Sequence, residues 1–392
     1  MKNKYNFAFE VSDNIAQHGH MLPLLHECCS DPFLSVNLYT NKKENILILK
    51  KQYFECYQHE LPNDVKIHIF KDSKLNILKQ KTLSLINVLH IHKVTPIIRK
   101  LFLIIKSANT TEDYSLYYKK NSRFFLSQDV VLTTELKGSS WLLDSSVKLV
   151  WLLHGIISND NPYFKNWQCN IVVSPQINLE KKLKERITIP KNTIFYKNAY
   201  LKKEIINSYK NTKKLFNNNN PVIVYNPHWD NGLNQSSWFN YGLDILSYFK
   251  KNNQFNLIFA PHLLLNKFYK ITIPPEYLDI PNIIIDLNSP NLTNGTYVGH
   301  ADYYLGDVSS QFFEFALCNR KIKPIFINCS KMDWKRKPIY SYWNTGFVIN
   351  DIDELHFAIE NATSNEDSFI DFFHHIPDNQ SKLLLDFLKN SL

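Results

Sequence analysis

Short apolar runs alternate with amphipathic stretches along most of the chain, the pattern of a parallel α/β architecture. "YNFAFEV" (5–11) predicts a first strand, "HMLPLLHECC" (20–29) a helix and "FLSVNLYT" (33–40) the next strand. After a Lys-rich, mostly helical middle, "DVVLTTE" (129–135) and "VKLVWLLHG" (147–155) predict two short apolar strands. "NIVVSP" (170–175) and "NTIFYKNAY" (192–200) complete this half. The polar stretch "YKNTKKLFNNNNP" (209–221) has the composition of a linker. Beyond it, "PVIVYNPHWD" (221–230) predicts a strand and loop, and residues 238–251 a helix. Strands are then expected at "FNLIFAPH" (255–262), "NIIIDL" (282–287), "ADYYLGD" (301–307) and "KPIFIN" (323–328), with a terminal helix at 353–362.

Two such halves predict two Rossmann-like domains, 1–210 and 211–392, facing across a cleft. A length of 392 residues suits two cores, and 44% hydrophobic with 14% aromatic content fills both. Only 9 glycines are present, and neither a G-x-G-x-x-G nor a Walker pattern occurs, so dinucleotide and P-loop chemistry have no support. The net charge of +9 favours an anionic partner, either a phosphorylated substrate or a membrane surface. Nucleic acid is set aside because the lysines are scattered and no nucleic-acid motif occurs.

Six cysteines without a C-x-x-C pair suggest a reduced, cytosolic chain with buried thiols. The first residues lack an apolar signal-peptide core, and no run reaches the ~18 apolar residues of a membrane span. "HKVTPIIRKLFLIIK" (92–106) combines four basic residues with an apolar face. It would lie in the lipid interface as a peripheral contact, or else face the core with a solvated edge.

Ligands of open α/β sheets bind beyond the carboxyl ends of the strands. His154, His228, His262, Asp307, Ser309 and Ser310 all fall at such ends. A helix starting near Ser309 or Ser310 would present free N–H groups and hydroxyls to a phosphate, with Glu314 one turn later reaching a ribose hydroxyl. The competing reading is helix capping with a solvated Glu314. A strand-end His154 is well placed as a general base. The competing reading there is a structural histidine satisfied by a loop carbonyl. His18 and His20 in "AQHGH" lack the Cys or carboxylate cluster of a metal site, so no metal or other cofactor is expected.

The order "VWLLHG", "VYNPHWD", "IFAPH" and "DYYLGDVSSQFFEFALCNRKIKPIFIN" resembles the CDP-glycerol glycerophosphotransferase family, makers of teichoic acids and related surface polymers. The resemblance runs from about residue 130 onward, and its Asp-x-Ser-Ser block is the most specific part. It implies a GT-B-like fold, with the acceptor on the N-terminal domain and the nucleotide donor on the C-terminal one. It also implies His154 as general base, His262 near the diphosphate as the second catalytic residue, and Ser309, Ser310 and Glu314 as nucleotide and phosphate contacts; Asp307 and His228, at the same strand ends, are expected to join them there. "FEVSDN" (9–14) resembles the family's acceptor-side loop and brings Glu10 and Asp13, with His18 and His20 just beyond, to the acceptor side.

Departures from the family pattern are plain. Leu153 stands where the family has Trp, Ile156-Ile157 where it has Thr-Pro, and His228 and Asp230 where it has Thr and Arg. Proline precedes His262 instead of following it. The expected activity is transfer of a polyol phosphate from a CDP-activated donor to a glycan or lipid-linked acceptor, at the inner face of the cell membrane. A glycosyltransferase using a nucleotide-sugar stays open as the alternative, and a non-catalytic assembly or lipid-binding subunit as a third.

Overall fold

The computed structural model describes residues 4–70, 118–136, 140–154, 168–185, 189–209, 214–229, 236–309, 311–364, 369 and 372–392. The basic segment 92–106, Gly155, Asp230 and Ser310 lie outside them. The described residues fall into two compact units, one holding those up to 154, 168–202 and 374–392, the other 203–373.

The first unit is built on seven strands: β1 (Tyr5–Glu10), β2 (Leu34–Thr40), β3 (Lys66–Ile69), β4 (Val130–Thr133), β5 (Lys148–Leu152), β6 (Ile171–Val173) and β7 (Ile194–Tyr196). They lie in the order β3-β2-β1-β4-β5-β6-β7, with every pairing parallel. Phe7, Phe9, Leu38, Val131, Val150 and Trp151 are fully buried, as expected of parallel strands covered on both faces. Helices α1 (Leu22–Ser30) and α2 (Lys43–Tyr57) pack on β2. A short α3 (Leu179–Lys184) follows β6, and α4 (Lys202–Tyr209) carries the chain into the second unit.

The second unit holds β8 (Val222–Asn226), β9 (Asn256–Phe259), β10 (Ile283–Ile285), β11 (Tyr303–Gly306), β12 (Lys323–Ile327) and β13 (Phe347–Ile349). Their order is β10-β9-β8-β11-β12-β13, again all parallel. Helix α5 (Ser237–Lys251) turns Ile245, Leu246 and Phe249 onto a core that includes Ile223, Tyr225, Leu257, Phe259 and Leu305. Helices α6 (Leu263–Tyr269), α7 (Phe312–Cys318) and α8 (Leu355–Asn361) follow β9, β11 and β13. Gly306 is the last residue of β11, where a Cβ would lie 2.5 Å from the Tyr304 hydroxyl, so a larger side chain would need Tyr304 to shift.

Two features differ from the sequence pattern. The Asn-rich stretch expected as a linker is folded onto the second unit: Phe216 is buried, Asn256 donates to Asn218 at 2.6 Å, and Asn220 donates to the Asn253 carbonyl at 2.9 Å. The helix expected at 353–362 is not the last. Helix α9 (Gln380–Asn390) follows it and returns to the first unit, where it packs on α1. There Lys389 bonds Asp31 at 2.6 Å, and the Gln380 side chain accepts the Tyr200 backbone N–H.

Each sheet reverses its winding once, between β1 and β4 and between β8 and β11. These switch points are where open α/β sheets leave a crevice for ligands.

Candidate functional site

At the β8/β11 switch point Asp307 follows Gly306 directly and is fully buried. Its carboxylate accepts the His228 N–H at 2.8 Å, the Ser237 N–H at 2.6 Å and the Ser237 hydroxyl at 2.8 Å. Burial pushes the Asp307 carboxyl above its ordinary value, against the opposing pull of His228 and the Ser237 hydrogen bonds. Asp307 thus clamps both ends of the segment between β8 and α5. It anchors the backbone that carries His228, with its own oxygens turned to those donors.

The His228 ring is half-buried, with its centroid 5.8 Å from that of His262. His262 caps α6, its Nδ1 accepting the Leu264 N–H at 3.2 Å. That bond requires a bare Nδ1, so the proton sits on Nε2. Burial and the neighbouring His228 hold the imidazole down to about 3. At neutral pH His262 is therefore an uncharged hydrogen-bond donor through Nε2.

Ser309 is buried, and its Oγ accepts the Gln311 N–H at 3.2 Å, the local capping bond that its position before α7 allows. Glu314 lies within α7 and is buried instead of reaching solvent. Two residues not singled out from sequence complete this corner. Asn226, at the end of β8, donates to the Ala260 carbonyl at 2.6 Å and to Gln311 Oε1 at 3.1 Å. Its own Oδ1 is buried and accepts no hydrogen bond from the described residues.

The β1/β4 switch point of the first unit gathers a second polar cluster. Glu10, ending β1, accepts from the Thr133 hydroxyl and from the Tyr118 hydroxyl at 3.4 Å. The next two residues of the "TTE" corner meet Gln17, which is buried. The Gln17 amide donates to Glu135 Oε1 at 2.7 Å and lies 3.3 Å from His154 Nε2, while its oxygen accepts from the Thr134 hydroxyl at 2.7 Å. His154 Nδ1 lies 3.0 Å from the Thr134 carbonyl. A carbonyl only accepts, so Nδ1 carries the proton and the Nε2 lone pair faces the Gln17 amide.

His20 is buried beside this group, 6.3 Å from the His154 ring and edge-on to Tyr200 at 5.1 Å. Burial, then Lys202 and His154, keep its imidazole well below the ordinary value, so it is neutral. His18 is equally buried but serves the local turn. Its Nδ1 meets Gln52 Oε1 at 2.9 Å and its Nε2 the Ser12 carbonyl at 2.8 Å, and burial outweighs those bonds to lower its pKa. Asp13 is exposed and paired with Lys42 at 2.6 Å and Asn45 at 2.7 Å.

The structure thus brings Glu10, His20 and His154 together with Gln17, Thr134 and Glu135 at one switch point, and Asp307, His228, His262 and Ser309 at the other. Among the described residues, no three His, Cys, Asp or Glu side chains are grouped to hold a metal ion. Among them, too, no helix is long and apolar enough to cross a membrane.

No family model and no curated protein matches the sequence. Solved structures do match. The wall teichoic acid polymerase TagF is 12% identical at a TM-score of 0.62, covering 98% of this chain and 88% of that one. A UDP-GlcNAc 2-epimerase from Neisseria meningitidis, bound to UDP-GlcNAc, is 13% identical at 0.56, covering 99% and 100%. S. aureus MnaA in complex with UDP is 8% identical at 0.55, covering 99% and 96%. The fold is GT-B-like. At these identities the likeness concerns the two Rossmann-like domains and their order along the chain.

Proposed function

We propose that the protein is a transferase of bacterial surface polysaccharide synthesis, working at the inner face of the cell membrane. It moves a polyol phosphate from a CDP-activated donor to an acceptor hydroxyl and releases CMP. The observation that carries this reading is the orientation of His154. With Nδ1–H bonded to the Thr134 carbonyl, Nε2 offers a lone pair in the tautomer a general base requires. Likeness to TagF, a wall teichoic acid polymerase, supports this class of chemistry.

In the proposed step the acceptor hydroxyl replaces the long 3.3 Å contact between Gln17 and Nε2. Nε2 takes the hydroxyl proton as the oxygen bonds to the polyol-phosphate phosphorus. The pyrophosphate P–O bond breaks, and its electron pair leaves with CMP. Phosphoryl transfer depends mainly on positioning and charge stabilisation. Neutral His262 contributes an Nε2–H donor to the donor's phosphates, and His228, held in place by Asp307, stands beside it. Ser309 and Ser310 are further phosphate donors in this reading, and Glu314 is the ribose partner. No resident metal takes part, so turnover should survive EDTA.

The match to an epimerase holding UDP-GlcNAc favours a second reading, a nucleotide-sugar enzyme acting on the same kind of glycan. A donor screen separates the two. CMP released from CDP-glycerol or CDP-ribitol supports the proposal. Turnover of UDP-, GDP- or CMP-sugars, with CDP-polyols inert, overturns it.

A further inference from the structure

A cavity of about 540 Å³ opens in the first unit at the carboxyl ends of β6 and β7. That volume falls in the usual range for a small-molecule site. Ser174 and Gln176 follow β6 and are buried, and Phe195 and Leu179 supply an apolar wall. His374 closes one side, its N–H donating to the Pro175 carbonyl at 2.8 Å. The rim is charged unevenly. Of its three lysines, Lys184 is committed to Glu180 at 2.7 Å. Lys181 and Lys197 form no salt bridge among the described residues, and Glu185 is the one other carboxylate of the lining. Burial and Lys197 hold the His374 imidazole below its ordinary value. At neutral pH it is therefore an uncharged hydrogen-bonding group, and the lining keeps one positive charge in excess.

We infer that this cavity binds the acceptor, specifically a hydroxyl-rich unit ending in a single anionic group, either a phosphate or a carboxylate. The inference rests on the transfer reading for the word acceptor, but the site stands on its own geometry. Lys181 and Lys197 take the anion, Ser174, Gln176 and His374 take hydroxyls, and Phe195 takes the apolar face of the sugar or polyol.

Calorimetric titration of the full chain with glycerol 3-phosphate, glucuronate, glycerol, glucose and inorganic phosphate tests this. Glycerol 3-phosphate or glucuronate should bind, the tighter of the two naming the anion, and glycerol and glucose should bind at least about tenfold more weakly. Lys181→Gln and Lys197→Gln should each weaken the anionic probe by about tenfold, the usual size of a lost charge-assisted bond. Lys197→Arg should recover most of the affinity, and Lys51→Gln on α2 should change nothing. Equal affinity for inorganic phosphate and glycerol 3-phosphate, or binding unaffected by either glutamine variant, overturns the assignment. Lysine-dependent binding in a protein that turns over no CDP donor supports the cavity and overturns only the transfer reading.

Discussion

Replacing Asp307 by alanine should loosen the second unit's site before it touches any ligand. The carboxylate holds three donors, the N–H groups of His228 and Ser237 and the Ser237 hydroxyl, at 2.6–2.8 Å in a fully buried position. Each donor left unpaired in the interior costs about 1–3 kcal/mol. Partial relaxation of the segment between β8 and α5 places the total for Asp307→Ala at ~3–6 kcal/mol. That is a large share of the ~5–15 kcal/mol that holds a typical domain. Asparagine keeps one acceptor oxygen, enough for both Ser237 donors, but sets its NH2 against the His228 N–H. It also removes the cost of burying a charge, so Asp307→Asn should lose only ~1–3 kcal/mol.

The pH dependence of that gap has a definite sign. Because the folded-state carboxyl is raised, its contribution is full below the unfolded value near 3.9 and is lost as pH rises through the folded value. The wild-type advantage over Asp307→Asn should therefore shrink from acid toward neutral pH. Urea denaturation of the three proteins at several pH values measures this. Equal stabilities for the Asn and Ala variants would refute the clamp, and a gap that widens with pH would refute the raised carboxyl by showing that the three hydrogen bonds outweigh burial.

Other consequences are local. Gln17→Leu removes the amide that joins Glu135, Thr134 and His154, and steady-state kinetics should show kcat down by about a hundredfold with donor affinity unchanged. A collapse of thermal stability with kcat intact would make Gln17 purely structural. Burial raises the Asp31 carboxyl, but Lys389 and the Phe33 N–H more than offset it and leave it below the usual range. This pair therefore stabilises above the unfolded carboxylate value and loses that contribution as pH falls through the folded one. Lys389→Met should cost ~1–2 kcal/mol at pH 7, between exposed and buried pairs, with the gap to wild type closing toward pH 3 in urea melts.

The inner strands of both sheets were legible because apolar runs such as "VIVYN" and "YYLG" are buried on both faces and need no alternation to be seen. The edges were not. β3, "KIHI", is largely exposed and carries no apolar run, and the apolar run of β13, "FVI", is only three residues long. Helix α9 escaped notice because its first buried positions are Gln380 and Ser381, which disguise the apolar period completed by Leu384, Leu385 and Leu388. In the candidate site, strand-end position marked His154 and His262. Gln17 was invisible because its partners Thr134 and Glu135 lie 117 and 118 residues away and meet it only once β1 and β4 pair. Asp307 was legible as a residue at the right corner. What it holds, 70 and 79 residues upstream, required the β8–β11 pairing.

The most direct measurement is single-turnover release of CMP from CDP-glycerol by wild type and His154→Ala, with donor affinity measured by calorimetry on the same samples. If His154 Nε2 takes the acceptor proton, the rate of the bound complex should fall by about 10²–10⁴-fold while donor affinity is unchanged. CMP release at the wild-type rate in His154→Ala, or a rate loss explained entirely by weaker donor binding, would contradict the account.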